Sequence, residues 1–172
     1  FESSGKHPYK GNKMRKKTVK IIASALLLLS TSACTMLDTK VAVVEDFKLD
    51  KYLGTWHEIA RLDHSFERGL SQVTATYSVE GDKVVVINKG FSEEKSAWKQ
   101  AEGKAYFIGS DNIARLKVSF FGPFYGAYQV HDLIKDAQGE YLASLVIGPN
   151  REYAWILARD KTISADVKQG FI

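Results

Sequence analysis

The chain is poor in covalent and conformational constraints. One cysteine, Cys34, stands among its 172 residues, so no disulfide can close within it. Three prolines leave most segments free of the ring that interrupts strand ladders. Long hydrophobic runs are missing too. The most apolar stretch, Ile21 to Leu29, would rise only about 15 Å as a helix against a ~30 Å hydrocarbon core, which argues against a permanent transmembrane helix. A charge excess is present in the totals, at +4, but is confined to one end. Residues 1–33 hold seven basic side chains and one acidic one, leaving 17 basic and 19 acidic beyond them, a net of −2. A basic surface for nucleic acid therefore lacks support. Catalytic signatures are also absent: there is no Gly-x-Ser-x-Gly, no glycine-rich phosphate loop and no His-Glu-x-x-His.

What is present begins with a leader. Met14-Arg15-Lys16-Lys17, the apolar run and Ser30-Thr31-Ser32-Ala33 have the charged start, short apolar middle and small-residue end of a secretory signal. Residues 14–33 are read as that signal, and 1–13 as an upstream or cloning extension. Ser32-Ala33-Cys34 resembles a bacterial lipobox, which implies lipid attachment at Cys34 by acyl chains such as palmitate. Several chains on one residue anchor stably, whereas one is marginal. With Thr35 after the cysteine, the lipoprotein pattern implies the outer membrane, on its periplasmic side. Residues 34–46 read as lipidated N-terminus and tether, and 47–172 as the folded domain.

Within that domain the patterning has period two. Val73, Ala75, Tyr77 and Val79 alternate with Thr74, Thr76 and Ser78, a half-buried strand. Val84 to Phe91 follows the turn Glu80-Gly81-Asp82-Lys83. Further strands are expected at Thr55–Arg61, Trp98–Ile108, Ile113–Phe121, Tyr125–Leu133, Tyr141–Ile147 and Tyr153–Arg159. Gly, Asn, Asp and Pro separate them. Only Leu62 to Gly69 is a longer connection. Eight antiparallel strands can close on themselves and still hold one small ligand. Ser164 can cap a short helix.

Several of these segments resemble one family. Tyr52-Leu53-Gly54-Thr55-Trp56 with Glu58-Ile59-Ala60-Arg61 resembles the Gly-x-Trp opening of lipocalins. Phe66 to Leu70, Val73 to Tyr77, Ile87 to Gly90, Glu102 to Phe107, Lys117 to Pro123 and Tyr153 to Arg159 narrow the likeness to bacterial outer-membrane lipoprotein lipocalins, kin of the apolipoprotein D branch. The resemblance runs from Tyr52 to Lys168. It implies an all-β, eight-stranded antiparallel up-and-down barrel, closed at one end, with a C-terminal helix that is short here. It also implies that Gly54, Trp56 and Arg159 form a structural signature at the closed end, the guanidinium lying on the indole.

The function expected is carriage or storage of a hydrophobic ligand, such as a fatty acid or lysophospholipid, in cell-envelope maintenance, without catalysis or cofactor. Parity and composition nominate Tyr77 and Asn88 as ligand contacts, and Trp155 joins them because it shares a face with Arg159, which the resemblance places inside; Trp98, Tyr106, Phe120 and Tyr128 are further lining. His57 and His64, near Glu58 and Asp63, fit no standard metal spacing and are read as polar residues of a strand face and a loop. The aromatic turn Gly122 to Gly126 suits either a partner or membrane contact or burial under the helix. Two other readings stand beside the carrier: an interaction module with a filled barrel, and a lipid-modifying enzyme using His57 or His64. A homodimer is left open.

Overall fold

The computed structural model describes residues 41–171. Cys34, the leader and the upstream extension lie outside these residues.

Eight strands form a closed barrel in chain order, β1 Gly54–Arg61, β2 Leu70–Glu80, β3 Lys83–Ser92, β4 Ala97–Phe107, β5 Arg115–Phe121, β6 Phe124–Lys135, β7 Tyr141–Ile147 and β8 Ala154–Ala158. Each strand pairs antiparallel with the next, and β8 returns to β1 with His57 opposite Ala158. Closure gives every strand a partner on both sides, although β4 pairs with β5 only from Lys104 to Phe107 and its 97–103 stretch is paired on the β3 side alone. Two single-turn helices flank the barrel, α1 Leu49–Tyr52 and α2 Ala165–Gln169. The Ser164 hydroxyl accepts from the Val167 amide at 3.2 Å, as its capping position requires.

Strand parity divides each strand between core and surroundings. Trp56, Ala75, Tyr77, Val84, Val86, Ala105, Leu116, Val130, Val146 and Leu157 form one buried cluster with Phe47, Tyr52 and Tyr141. The segment before α1 seals the base. Val44 donates its amide to the Val130 carbonyl at 2.9 Å and accepts from Ala114 at 3.0 Å, and the buried Phe47 ring stacks 6.0 Å from Tyr141. The stretch expected as tether is therefore fastened to the barrel from Val41 onward, where the Val41 carbonyl accepts from Arg115 Nη2 at 2.9 Å.

Candidate functional site

The closed end is fixed by Gly54 and Trp56 of β1 and by Arg159, directly after β8. Trp56 is fully buried, and its Nε1 donates to the Tyr52 carbonyl at 2.8 Å. The Arg159 guanidinium lies 4.0 Å from the centre of the Trp56 ring. It also donates to the carbonyls of Lys51 and Leu53, both at 2.8 Å, and of Thr55 at 3.0 Å. One planar cation thus satisfies the backbone that leaves α1 while stacking on the indole. Gly54 has φ +88°, a conformation L side chains rarely adopt, and passes beneath that guanidinium.

Above this base the barrel is floored by phenols. Tyr128 shares hydrogen bonds with Tyr52 at 2.8 Å and Tyr77 at 2.7 Å, and Tyr52 reaches Ser144 at 3.2 Å. Burial pushes the Tyr52 hydroxyl up to about 12, and those of Tyr77 and Tyr128 well above their usual value, so all three are neutral. Beneath the phenols the packing is tight, with a void of about 10 Å³ among Phe47, Tyr77, Val86, Leu116 and Val130.

The open half carries a polar cluster. Register places Glu58 opposite Leu157 and Arg61 opposite Trp155, so both turn inward from β1. Arg61 forms an ion pair with Glu58 and donates from Nη2 to the carbonyls of Glu67 at 3.0 Å and Leu70 at 3.2 Å. The loop after β1 folds back over the mouth. Its buried Glu67 carboxylate accepts from Trp155 Nε1 at 2.9 Å and lies 3.1 Å from Nε2 of the buried His64. Burial raises both carboxyls, Glu58 further through the neighbouring charge of Glu67. Burial and then Arg61 push His64 below its usual value. The imidazole is neutral at neutral pH and stacks 3.9 Å from Phe66.

On β3, Asn88 faces inward opposite Ala75 and Ala101, and its Oδ1 is buried without a hydrogen-bond partner among the described residues. Such an acceptor is costly unless something donates to it. Phe120 also points inward, over Gly103, where an added Cβ would come within 2.8 Å of its ring. The β3–β4 hairpin extends beyond the tip of β5, since Lys104 pairs with Ser119 near the end of that strand. Its inward positions Ala97, Lys99 and Ala101 are exposed at the mouth.

Two expected lining residues lie elsewhere. Asn88 pairs with Ala101 and Val84 with Ala105, so the odd positions of β4 face inward and the even ones outward. Trp98 therefore stands outside, half exposed against Phe91 with the Lys89 ammonium 4.7 Å above its ring. Tyr106 is outside too. It borders a groove of about 520 Å³ between α1, the β2–β3 turn and the β4–β5 loop. Both are corrected from lining to outer surface. Tyr77, Asn88, Phe120, Tyr128 and Trp155 are brought to one interior, while Glu58, Arg61, His64 and Glu67 join it unforeseen. Glu58 was legible two positions after the inward Trp56; Glu67, in an irregular loop, left no periodic signal. His57 faces away from the interior, and among the described residues no cluster of His, Cys, Asp and Glu suits a metal ion.

The lipocalin-like domain profile matches residues 47–171. The outer membrane lipoprotein Blc of Vibrio cholerae is 50% identical over 153 residues, covering 88% of this chain and 85% of that protein. Its namesake from Escherichia coli is 57% identical over 130 residues, covering 75% and 71%. Among solved structures, insecticyanin from the tobacco hornworm superposes with a TM-score of 0.59 at 24% identity over 76% of this chain and 72% of its own, a likeness of fold.

Proposed function

The chain belongs to the lipocalin family and is a lipid-anchored outer-membrane protein of bacteria, and on that premise we propose that its barrel carries an amphiphile, such as a fatty acid or lysophospholipid. Cys34 is the residue we assign to the lipid anchor, and envelope maintenance the setting. The reading involves no catalysis.

The observation that carries it is the Asn88 Oδ1, unpartnered among the described residues, inside a barrel sealed at its base whose inward β4 positions Ala97, Lys99 and Ala101 are exposed at the other end. An apolar tail would lie between the phenol floor and Trp155, buried by the hydrophobic effect at roughly 25 cal/mol per Å² before ordering costs. A donor on the ligand's polar end would satisfy Asn88.

Intrinsic tryptophan fluorescence of the domain begun after Cys34, titrated with a C16–C18 fatty acid and its lysophospholipid, tests this. Saturable quenching that weakens in Trp155→Phe is expected. Asn88→Leu should weaken a hydroxyl-bearing lysophospholipid by about tenfold, one net hydrogen bond, and the fatty-acid anion by less. No response from a folded domain would overturn the carrier. The packed base supports a second reading, a barrel whose interior is filled and whose loops do the binding, and the same null titration would favour it.

A further inference from the structure

Large apolar side chains are exposed unevenly. Leu62 at 47%, Phe66 at 59%, Trp98 at 50%, Phe121 at 80% and Phe124 at 78% all stand at the open end. They come from three of its four connections, after β1, β3 and β5. Only Val79 and Leu142 are comparably exposed among the described residues, and both lie toward the base. Scattered single apolar residues need no explanation, but an aromatic rim around one opening does.

Two further features say what covers the rim. Lysines flank its aromatics from the outer wall: the Lys89 ammonium lies 4.7 Å over Trp98, and that of Lys117 lies 5.2 Å over Tyr125, beside Phe124. Aromatic rings with ammonium groups set back along the wall match the boundary between acyl chains and phosphates. The second feature is where the chain leaves the barrel. Val41 is tied to Arg115 and Ala42 to His131 Nδ1, on the flank of the β5–β6 hairpin whose turn bears Phe121 and Phe124. The six steps along β5 from Arg115 to Phe121 cover about 20 Å. The seven residues from Cys34 to Val41 can span up to about 25 Å. A lipid on Cys34 and the tip of that hairpin can therefore reach the same membrane surface. That step rests on Cys34 as the anchor; the exposed rim does not.

We infer that the open end docks onto the lipid bilayer, with Phe121, Phe124, Trp98 and Phe66 inserted at the level of the upper acyl chains and the mouth facing the lipid. An amphiphile would then pass between bilayer and barrel without its tail crossing water. The lipid anchor holds the protein to the membrane, and the rim sets its orientation.

The test uses the mature lipidated protein in phosphatidylethanolamine–phosphatidylglycerol vesicles whose acyl chains carry bromine at shallow or deep positions. The difference between wild type and Trp98→Phe isolates the Trp98 emission. Insertion of about 5–10 Å predicts stronger quenching from shallow than from deep bromines, and roughly twofold less quenching by aqueous acrylamide than in detergent-free solution without vesicles. Phe121→Ser with Phe124→Ser should abolish the bromine effect while the protein still sediments with the vesicles. The mass of the purified chain reports the Cys34 lipid separately, so failure of the anchor and failure of the rim are distinguishable. Trp98 equally open to acrylamide with and without vesicles, and untouched by bromine, overturns the inference. So does shielding of Trp98 that depends on protein concentration and needs no vesicle, which would assign the rim to a second copy of the chain.

Discussion

At the scale of single residues, Arg159 does the work of several. Its guanidinium stacks on Trp56 and donates to three carbonyls that leave α1, so it joins the last strand to the first and to the segment that seals the base. Lysine keeps the charge but loses the planar fork and most of the stacking. Arg159→Lys should therefore lower stability by about 2–3 kcal/mol, the sum of a cation–π contact and charge-assisted bonds to carbonyls left short of donors. Urea denaturation with an unchanged m-value would show it; a shift below about 0.5 kcal/mol would mean that water satisfies those carbonyls as well. Gly54, Trp56 and Arg159 were legible as a pattern because the backbone conformation, the ring and the fork are each chemically irreplaceable. Asn88 was legible by parity alone, as one amide among valines.

At the scale of elements, the strands read clearly from alternation, and their observed limits differ from the expected ones mostly by one or two residues. The outward placement of Trp98 and Tyr106 shows where alternation falls short. Period two separates the two faces of a strand without saying which is inside, and only the pairing of β4 with β3 settles it. Helix α1 is a single turn, too short for any periodic signal. The loop from Leu62 to Gly69 was seen only as a long connection, and its fold into the mouth depends on Glu67. That carboxyl is raised by burial, so its contribution to stability is full below its unfolded value of 4.5 and is lost as pH rises through its higher folded value. His64 works in the opposite sense: lowered by burial, it contributes above 6.5 and loses that contribution as pH falls toward its folded value. The difference between wild type and Glu67→Gln carries Glu67 together with Glu58, whose carboxyl the Glu67 charge raises, and both move it in the same direction as pH falls. Wild type should gain on Glu67→Gln as pH falls from neutral to about 4.5. Thermal melts followed by circular dichroism measure this, and a difference flat across that range would mean that Glu67 is solvated rather than packed in the mouth.

At the scale of the whole molecule, charge and apolar surface are distributed by region. The basic residues that make the total positive lie within residues 1–33, and the sequence beyond is slightly acidic. The barrel is sealed and tightly packed at its base, while its open end gathers both the buried polar cluster and the exposed aromatic rim. Such a division separates stability from the proposed binding: the lower half packs the core, and the upper half holds polar groups that the proposed occupant would satisfy, foremost the Asn88 acceptor, unpartnered among the described residues. A ligand that binds the folded barrel and not the unfolded chain must stabilise it by mass action. At a free concentration one hundred times its dissociation constant the gain is about 2.7 kcal/mol, which for a domain of this size raises the melting temperature by roughly 10 °C. Lysophospholipid held below its micelle concentration should produce that shift in the domain begun after Cys34, and Asn88→Leu should reduce it. A barrel filled by its own side chains has no room for such an occupant, and its melting temperature would stay where it was at every concentration.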